Sequence, residues 1–358
     1  MWAKVPSTSR RKTNHNMKKK QLYLALLAVV AIVCLLVFRN SGRQMAVSYQ
    51  QNEGTIFGTI YHAKYLYDQD LKAEIEAELQ KVDASLSMFN PQSTISRINR
   101  GEEDEVDEML SKVLQLSFAV NKATDGAFDP TVAPLVNAWG FGFKNGQIPD
   151  NRQVDSLLSL VGLSHIQLKD GKLIKDNPLS ILDFSAIAKG YGVDRAADVL
   201  RSKGIKSFMV EIGGEVVTEG LNEKGEAWRI GINKPDDDST STNMELQDII
   251  SLSGKAIATS GNYRNYYISE GRKIAHTINP QTGYPAQSDI LSSSVMAPTC
   301  AEADAFATAF MVLGLDRAKQ ILQNQPQLEA YFIYTNEEGE YQIWCTEGFE
   351  ALIHKEQL

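Results

Sequence analysis

The sequence has few cysteines and histidines and lacks the common nucleotide-binding and nucleophile motifs. Its 358 residues include three cysteines and five histidines, without the Cys-x-x-Cys spacing that is typical of zinc sites. Gly-x-Ser-x-Gly, the P-loop pattern and Gly-x-Gly-x-x-Gly are also absent. The sequence therefore offers no support for a nucleophile elbow, a P-loop nucleotide site or a Rossmann dinucleotide site.

An excess of positive charge is missing as well. Lysine and arginine number 36 against 44 acidic residues, which leaves a net charge of −8. Such a chain gives a nucleic-acid partner no electrostatic support, so we expect none. Hydrophobic residues make up 43% and charged residues 22%, which is ordinary for a globular protein with a buried core.

Long apolar runs are limited to one, at residues 22–38. About 17–25 apolar residues span a bilayer as a helix, and the basic residues that precede this run favour the cytoplasmic side. We therefore predict a basic cytoplasmic tail at 1–20, a transmembrane signal anchor at 21–38 and a tether at 39–53. The following domain would face the periplasm from the inner membrane. A buried core helix, a cleaved signal peptide and a lipidated Cys34 are the alternatives.

Two cysteines remain beyond the apolar run, Cys300 and Cys345. They are the only possible disulfide pair in the exported part. An oxidising compartment would permit that bond. Nothing in the sequence demands it.

From residue 55 onward, strand and helix patterns follow one another in mixed order, which favours an α+β domain. Period-two alternation predicts strands, and apolar residues three and four apart predict helices. The predicted strands are 55–61, 180–183, 206–211, 215–219, 228–233, 292–297 and a closing hairpin of 331–334 with 342–345. The predicted helices are 69–86, 107–123, 188–203 and 302–313.

The last of these helices carries a carboxylate and a hydroxyl on an otherwise apolar face. Asp304 and Thr308 are four residues apart in AEADAFATAFM (301–311), so a helix presents both on one side. A buried carboxylate is costly unless it is paired or bound to a cation. Oxygen ligands of this kind suit Mg²⁺ completed by phosphate oxygens and water. Alternatively, Asp304 caps the helix or meets an arginine, and Thr308 bonds a backbone carbonyl.

The segment DFSAIAKGYGVD (183–194) predicts a strand end, a turn of small residues and a helix start. Small residues at such a turn let backbone groups come close to a ligand. Lys189, near the helix start, could meet a phosphate, or it could be an exposed helix lysine. Asp183 could equally be a helix cap.

Two further segments have the composition of functional loops. TDGAFDPTVAP (124–134) predicts a rigid loop with two turns and an aromatic centre at Phe128. The segment 258–285 contains His276. A histidine with an ordinary pKa of about 6.5 could take a proton from a hydroxyl nucleophile. A structural hydrogen bond within a tight loop is the alternative for His276.

Taken together, the ordered segments resemble the motifs of the ApbE family of FAD:protein FMN transferases. The resemblance runs from about residue 55 to the C-terminus. It implies a single α+β catalytic domain at 54–358, of the T-fold-like ApbE type, with mixed sheets and flanking helices. The matching blocks are FGT (57–59), SMFNPQSTISRIN (87–99), TDGAFDPTVAPLVNAWGFG (124–142), DFSAIAKGYGVD (183–194), EIGGE (211–215), ATSGNYRNYY (258–267), HTINPQTGYP (276–285) and AEADAFATAF (301–310).

The resemblance also implies roles for individual residues. Asp304 and Thr308 match Mg²⁺ ligands, and Ala186 would add its backbone carbonyl. His276 and Asp183 are the candidate catalytic residues. Residues at positions that contact FAD are Phe57, Phe89, Ala127, Phe128, Asp129, Asp183, Lys189 and His276.

The chain departs from the family pattern at three places. Phe57 replaces a methionine, an apolar exchange that we expect to keep the packing against a flavin. The turn usually reads Asp-Leu-Gly-Gly, whereas this chain has Ala186 in its last place, so the turn must avoid positive φ. Asn279 stands where aspartate is common, which removes an acid–base role from that position.

The activity that the resemblance implies is Mg²⁺-dependent transfer of FMN from FAD to a threonine or serine of an acceptor protein, with release of AMP. No flavin-carrier domain is fused to this chain, so the acceptor would be a separate protein, such as a subunit of a membrane redox complex. Two alternatives stay open: an FAD pyrophosphatase with water as nucleophile, and a non-enzymatic periplasmic flavin-binding protein. The residues alone do not separate transfer from hydrolysis, because both need the same metal and cleft.

Overall fold

A computed structural model describes residues 23–24, 26–31, 47–142, 148–235, 245–262, 266–269 and 272–354. The chain divides into two units, residues 1–48 and 49–358. In the first unit, residues 23–24 and 26–31 are helical. The predicted tail 1–20, the rest of the predicted anchor 21–38, Cys34 and residues 39–46 of the tether lie outside the described residues. Among those described, no helix combines the length and the apolar character that a membrane span requires.

The second unit opens with a β-hairpin. Strands β1 (Ser48–Ile56) and β2 (Thr59–Tyr67) are joined by Phe57 and Gly58, whose φ angles of 51° and 74° are both positive. Two-residue turns of this kind match the twist of the flanking strands. The single strand predicted at 55–61 is therefore wrong, because the chain reverses within it. Residues 48–53 also belong to β1 and not to a polar tether.

Within the described residues, eight strands form the central sheet, in the order β1-β2-β5-β6-β9-β12-β13-β14. Each neighbouring pair with a defined register is antiparallel, where mixed sheets were expected. Hairpin connections such as β5–β6 reverse the chain and so produce antiparallel pairs. The other strands are β3 (Ile166–Lys169), β4 (Lys172–Lys175), β5 (Phe208–Ile212), β6 (Glu215–Glu219), β7 (Trp228–Asn233), β8 (Leu246–Leu252), β9 (Ala256–Gly261), β10 (Tyr266–Ser269), β11 (Arg272–Ala275), β12 (Ile290–Ala297), β13 (Glu329–Thr335) and β14 (Tyr341–Cys345).

Helices cover one face of the sheet, and the β7–β8 hairpin covers part of the other. Helix α7 (Cys300–Leu313) packs on β9 and β12, and helix α6 (Ala188–Ser202) packs on β5 and against α7. The helix side of the core contains Phe310 and Phe332, whereas Ile250 and Ile257 lie in the cluster beneath the hairpin. This arrangement confirms the α+β prediction. The helices are α1 (Lys72–Leu86), α2 (Thr94–Asn99), α3 (Glu108–Ala123), α4 (Ala133–Ala138), α5 (Asn151–Leu158), α6 (Ala188–Ser202), α7 (Cys300–Leu313), α8 (Leu315–Leu322) and α9 (Glu347–Glu350).

Helices α6 and α7 meet closely, and this contact positions the candidate site. Asp194 of α6 accepts the backbone N–H groups of Cys300 at 2.8 Å and Ala301 at 2.9 Å, so one helix caps the other. A Cβ atom on Gly190 would lie only 2.3 Å from the Cys300 carbonyl oxygen. Glycine is therefore required where the start of α6 touches the start of α7.

Most predicted elements are present with shifted ends. The helices predicted at 107–123 and 188–203 are α3 and α6, and the closing hairpin is β13–β14. The strand predicted at 180–183 is wrong, since that segment is irregular and Leu182 bonds the Asn99 side chain instead of a strand. Cys300 and Cys345 are both free thiols.

Candidate functional site

A cleft of about 890 Å³ gathers every residue to which the sequence analysis gives a catalytic, FAD-binding or metal-binding role. Its walls come from the β1–β2 turn, the α1–α2 connection, the 3₁₀ loop before α4, the turn before α6, strand β9 and helix α7. These segments are far apart in the chain, so their convergence is a property of the fold. The predicted residues that line the cleft are Phe57, Phe89, Ala127, Phe128, Asp129, Asp183, Ala186, Lys189, His276, Asp304 and Thr308.

Asp304 and Thr308 lie on the cleft side of α7. Asp304 is only 3% exposed, and its Oδ2 accepts the backbone N–H of Gly190 at 3.0 Å. The Thr308 hydroxyl lies 3.1 Å from the Ser260 hydroxyl of β9. Thr299 provides the side-chain cap of α7, so the capping alternative for Asp304 is wrong.

A buried contact between Lys189 and Glu215 lies beside Asp304. The Lys189 ammonium is 2.6 Å from Oε1 of Glu215, a carboxylate that is 1% exposed and whose Oε2 has no hydrogen-bond partner in the described structure. Burial, followed by the charge of Asp304, raises the pKa of Glu215 to about 8. Burial works against the Lys189 charge, but the two carboxylates outweigh it and raise the pKa of the ammonium. Lys189 is thus a buried cation and not an exposed helix lysine.

The cluster of Asp304, Lys189 and Glu215 offers more hydrogen-bond acceptor sites than donor groups to fill them. Burial raises the pKa of Asp304, although the Lys189 charge and the Gly190 N–H oppose that shift. A divalent cation would offset the desolvation of the Asp304 carboxylate, so the residues fit Mg²⁺. In the described part of the chain, no three His, Cys, Asp or Glu side chains are grouped to hold a metal by themselves. A cation here therefore needs phosphate oxygens or water to complete its shell.

The turn before α6 presents Asp183 and the Ala186 backbone. Oδ1 of Asp183 accepts both the N–H and the hydroxyl of Ser185, at 2.8 and 2.6 Å. The cap of α6 is Ile187, without a side-chain hydrogen bond, so the helix-cap alternative for Asp183 is wrong. Neither Asp183 nor Ala186 has positive φ, as the alanine at the end of the turn requires. Burial raises the pKa of the Asp183 carboxyl.

Side chains and backbone from other elements hold this irregular turn in place. The Asn99 amide donates to the Leu182 carbonyl at 2.8 Å, and its oxygen accepts the Leu182 N–H at 2.9 Å. The next N–H, of Asp183, donates to the Pro130 carbonyl at 2.7 Å. These bonds replace the strand ladder that the sequence predicts for this segment.

The loop around Phe128 is internally bonded. The Asp129 carboxylate accepts the N–H and the hydroxyl of Thr131, and the N–H of Leu163 at 3.0 Å. The carboxylate of Asp129 is therefore committed to the loop, and its backbone is the part available to a ligand. Phe128 is 2% exposed and belongs to the main core cluster, so it supports the loop from beneath.

Aromatic side chains stand at other parts of the cleft. Phe57 packs on α6, where a Cβ on Gly192 would lie 2.5 Å from its ring. Phe89 is 65% exposed and lines the cleft, where an aromatic side chain can stack on an aromatic ligand. Phe141 meets the His276 ring edge-on, with the ring centroids 6.3 Å apart.

Sequence reasoning missed three residues of the site: Glu215, Ser260 and Asn99. Each lies inside a segment that was singled out, and Ser260 and Asn99 carry no local signal of their role. Glu215 does carry one, because a charged residue followed by two valines in a predicted strand is a sign of a buried partner. Ser260 contacts Thr308, 48 positions away, and Asn99 bonds Leu182, 83 positions away. Only the folded structure shows that these residues meet.

Comparison with known proteins agrees with this geometry. The ApbE family model matches residues 57–332. An FAD:protein FMN transferase of Vibrio cholerae serotype O1 is 34% identical over 341 residues, which cover 92% of this chain and 99% of the relative. One from Haemophilus influenzae is 35% identical over 337 residues, covering 89% and 95%. The solved structure of a flavin transferase ApbE from Vibrio cholerae has a TM-score of 0.76 at 33% identity, covering 86% of this chain and 99% of that one.

Proposed function

The chain belongs to the ApbE family, and from that premise we propose that it is an Mg²⁺-dependent FAD:protein FMN transferase. The observation that carries the proposal is the single cleft in which the predicted FAD, metal and catalytic residues meet. The relatives named for this activity match nearly the whole chain. A hydroxyl of an acceptor threonine or serine would replace AMP on the FMN phosphorus.

The side chains of the cleft would divide the work as follows. Asp304, Thr308 and the Ala186 carbonyl would hold Mg²⁺, which when bound neutralises charge on the pyrophosphate. Lys189 adds a fixed positive charge at the same place. Positioning and electrostatics of this kind supply most of the catalysis in phosphoryl-type transfer.

The transfer of FMN from FAD to the acceptor hydroxyl needs no further reactant. The acceptor hydroxyl oxygen bonds to the FMN phosphorus, the bond from that phosphorus to the bridging oxygen breaks, and AMP leaves with that oxygen. The hydroxyl proton must go to a base in the cleft. Asp183, whose pKa is raised by burial, and His276 are the candidates.

Transfer is distinguished from the two alternatives by one assay. The full-length protein is incubated with FAD, Mg²⁺ and a candidate acceptor, such as a subunit of a membrane redox complex that was produced without its covalent flavin. A fluorescent, covalently labelled acceptor band supports transfer. Release of FMN without labelling supports the pyrophosphatase, and FAD binding without either product supports a flavin-binding protein.

The metal assignment is tested by Asp304→Asn. We expect labelling to fall at least 100-fold, because one charged ligand is lost, while the melting temperature of the metal-free protein is retained. The matched control is Glu302→Gln, a carboxylate of the same helix that bonds Gln327 and does not line the cleft. Labelling by Asp304→Asn at the wild-type rate would overturn the Mg²⁺ assignment.

We further propose that the catalytic domain faces the periplasm, anchored in the inner membrane by residues 21–38. The support is the uncharged run at 22–38 and the basic segment before it. Retention of the full chain in the membrane after carbonate extraction, with the domain open to protease added from the periplasmic side, is the expected result. Release by carbonate or protection from protease would contradict it.

A further inference from the structure

Strand β9 brings a second hydroxyl to the Thr308 side chain. Ser260 and Thr308 both line the cleft, and their hydroxyl oxygens are 3.1 Å apart, a distance at which either can donate. Ser260 is not among the ligands that the resemblance implies. Its position next to one of them raises the question of where the Thr308 proton points.

A hydroxyl that ligates a cation has a constraint that a carboxylate lacks. It uses a lone pair for the cation, and its proton must go to an acceptor elsewhere. In a helix, threonine commonly sends that proton to the carbonyl four residues back, which for Thr308 is the Asp304 carbonyl. Donation to Ser260 instead would fix the hydroxyl rotor from outside the helix.

The sheet also places a third hydroxyl on the same face as Ser260. Ser293 of β12 is directly opposite Ser260 in the antiparallel register, so the two side chains share a face of the sheet. Ser293 is fully buried, and its hydroxyl has no hydrogen-bond partner in the part of the chain described. Among the described residues, therefore, no hydrogen bond joins the Ser260 and Ser293 hydroxyls, and the hydroxyl contact that the structure shows for Ser260 is the one with Thr308.

We propose that Ser260 is a positioning residue for Thr308: its hydroxyl oxygen accepts the Thr308 proton and so turns a Thr308 lone pair toward the cation. This inference rests on the proposed function, because it takes Asp304 and Thr308 as cation ligands. Partners that orient a metal ligand in this way commonly change metal affinity 10- to 100-fold when removed.

The test is a calorimetric titration of the full-length protein with Mg²⁺ alone. Ser260→Ala is expected to weaken Mg²⁺ binding about tenfold, and Ser260→Thr, which keeps the hydroxyl, is expected to restore it. The matched control is Ser294→Ala, which removes a hydroxyl pair with Thr259 at 2.8 Å. Ser294 neighbours Ser293 in β12 and points to the opposite face of the sheet. Its Mg²⁺ affinity should equal that of the wild type.

A double-mutant cycle separates positioning from a general loss of structure. In a Thr308→Val background, Ser260→Ala should cause no further loss of Mg²⁺ affinity, because its only route to the cation is gone. Wild-type affinity in Ser260→Ala, or a loss that adds fully to that of Thr308→Val, would overturn the inference. If Asp304→Asn also binds Mg²⁺ normally, the cation site itself is wrong, and the proposed function fails together with this inference.

Discussion

Lys189 interacts with two buried carboxylates, and one of them makes the charge of the cleft depend on pH. Burial and the neighbouring Asp304 raise the pKa of Glu215 to about 8, while the pKa of Lys189 is raised, so the ammonium stays charged. In the metal-free protein, Glu215 is thus mainly protonated below that pH. Above it, Glu215 adds one negative charge next to the place proposed for the pyrophosphate.

We therefore expect the affinity of the metal-free protein for FAD to fall as pH rises through about 8. Glu215→Gln stays neutral, so the variant should match the wild type at pH 7 and bind FAD several-fold more tightly at pH 9. Quenching of flavin fluorescence in the presence of EDTA measures both affinities. Parallel pH profiles for the wild type and the variant would show that Glu215 does not ionise in this range.

At the scale of single residues, the sequence was sufficient where a local rule applies. Asp304 and Thr308 are one helical turn apart, and that spacing alone places both on one face. Glu215 and Lys189 are 26 positions apart, and their pairing depends on how α6 packs on the sheet. Asp129 shows where a local pattern is not sufficient. The sequence predicts that it lies in a functional loop, but its carboxylate accepts the N–H groups of Thr131 and Leu163 and is not directed at a ligand.

The contact between helices α6 and α7 brings the residues of the site together. Gly190 lies where the backbones touch, and its N–H donates to Asp304 at 3.0 Å. Gly192, two residues along the same helix, faces the Phe57 ring instead of backbone. The two glycines therefore differ in what an added methyl group would meet.

We predict that Gly190→Ala is much more damaging than Gly192→Ala. A Cβ at Gly190 would lie 2.3 Å from the Cys300 carbonyl oxygen, which cannot move without shifting α7. A Cβ at Gly192 would lie 2.5 Å from the Phe57 ring, a side chain that can rotate away. We expect Gly190→Ala to lower unfolding free energy by about 1–3 kcal/mol more and to weaken Mg²⁺ binding. Equal losses in chemical denaturation would contradict this account.

The elements themselves were largely predictable because they obey simple periods. Helix α3 begins after Asp107, whose side chain accepts the Leu110 N–H, and both the cap and the apolar spacing are visible in the sequence. The hairpin turn at Phe57 was not predicted, because phenylalanine with positive φ is rare and gives no turn signal. The apolar residues before Asp183 predict a strand, but the backbone there bonds the Asn99 side chain and the Pro130 carbonyl instead of a neighbouring strand.

For the whole molecule, a site built from residues between 57 and 308 requires the complete antiparallel sheet and the helices packed on it. Asp194 accepts the first N–H groups of α7, so the ionisation of this one carboxyl affects the free energy of unfolding of the whole domain. Burial raises the pKa of Asp194 to about 6, against the two backbone N–H groups that it accepts. The folded protein keeps this proton over a range in which the unfolded chain has lost it.

The sign of the effect on stability follows from proton counting. Between the ordinary pKa of 3.8 and about 6, the folded state binds more protons at Asp194 than the unfolded state. The contribution of this group to the free energy of unfolding therefore decreases as pH rises through that window and is constant above it. Asp70 acts in the opposite sense, because hydrogen bonds from the Lys72 N–H and Asn52 lower its pKa.

We predict that Asp194→Asn flattens the pH dependence of unfolding free energy between about pH 4 and 6, relative to the wild type. The amide keeps one of the two oxygens that accept α7 N–H groups and cannot ionise. The variant therefore loses the downward slope that Asp194 contributes, together with one of the two capping bonds. Asp70→Asn is the control, since the lowered pKa of Asp70 places its own pH-dependent contribution below the ordinary value of 3.8, so this variant should keep the wild-type slope between about pH 4 and 6. Urea denaturation across this range measures all three proteins. If the Asp194→Asn curve stays parallel to that of the wild type, Asp194 ionises alike in the folded and unfolded chains, and its cap on α7 is not buried as the structure has it.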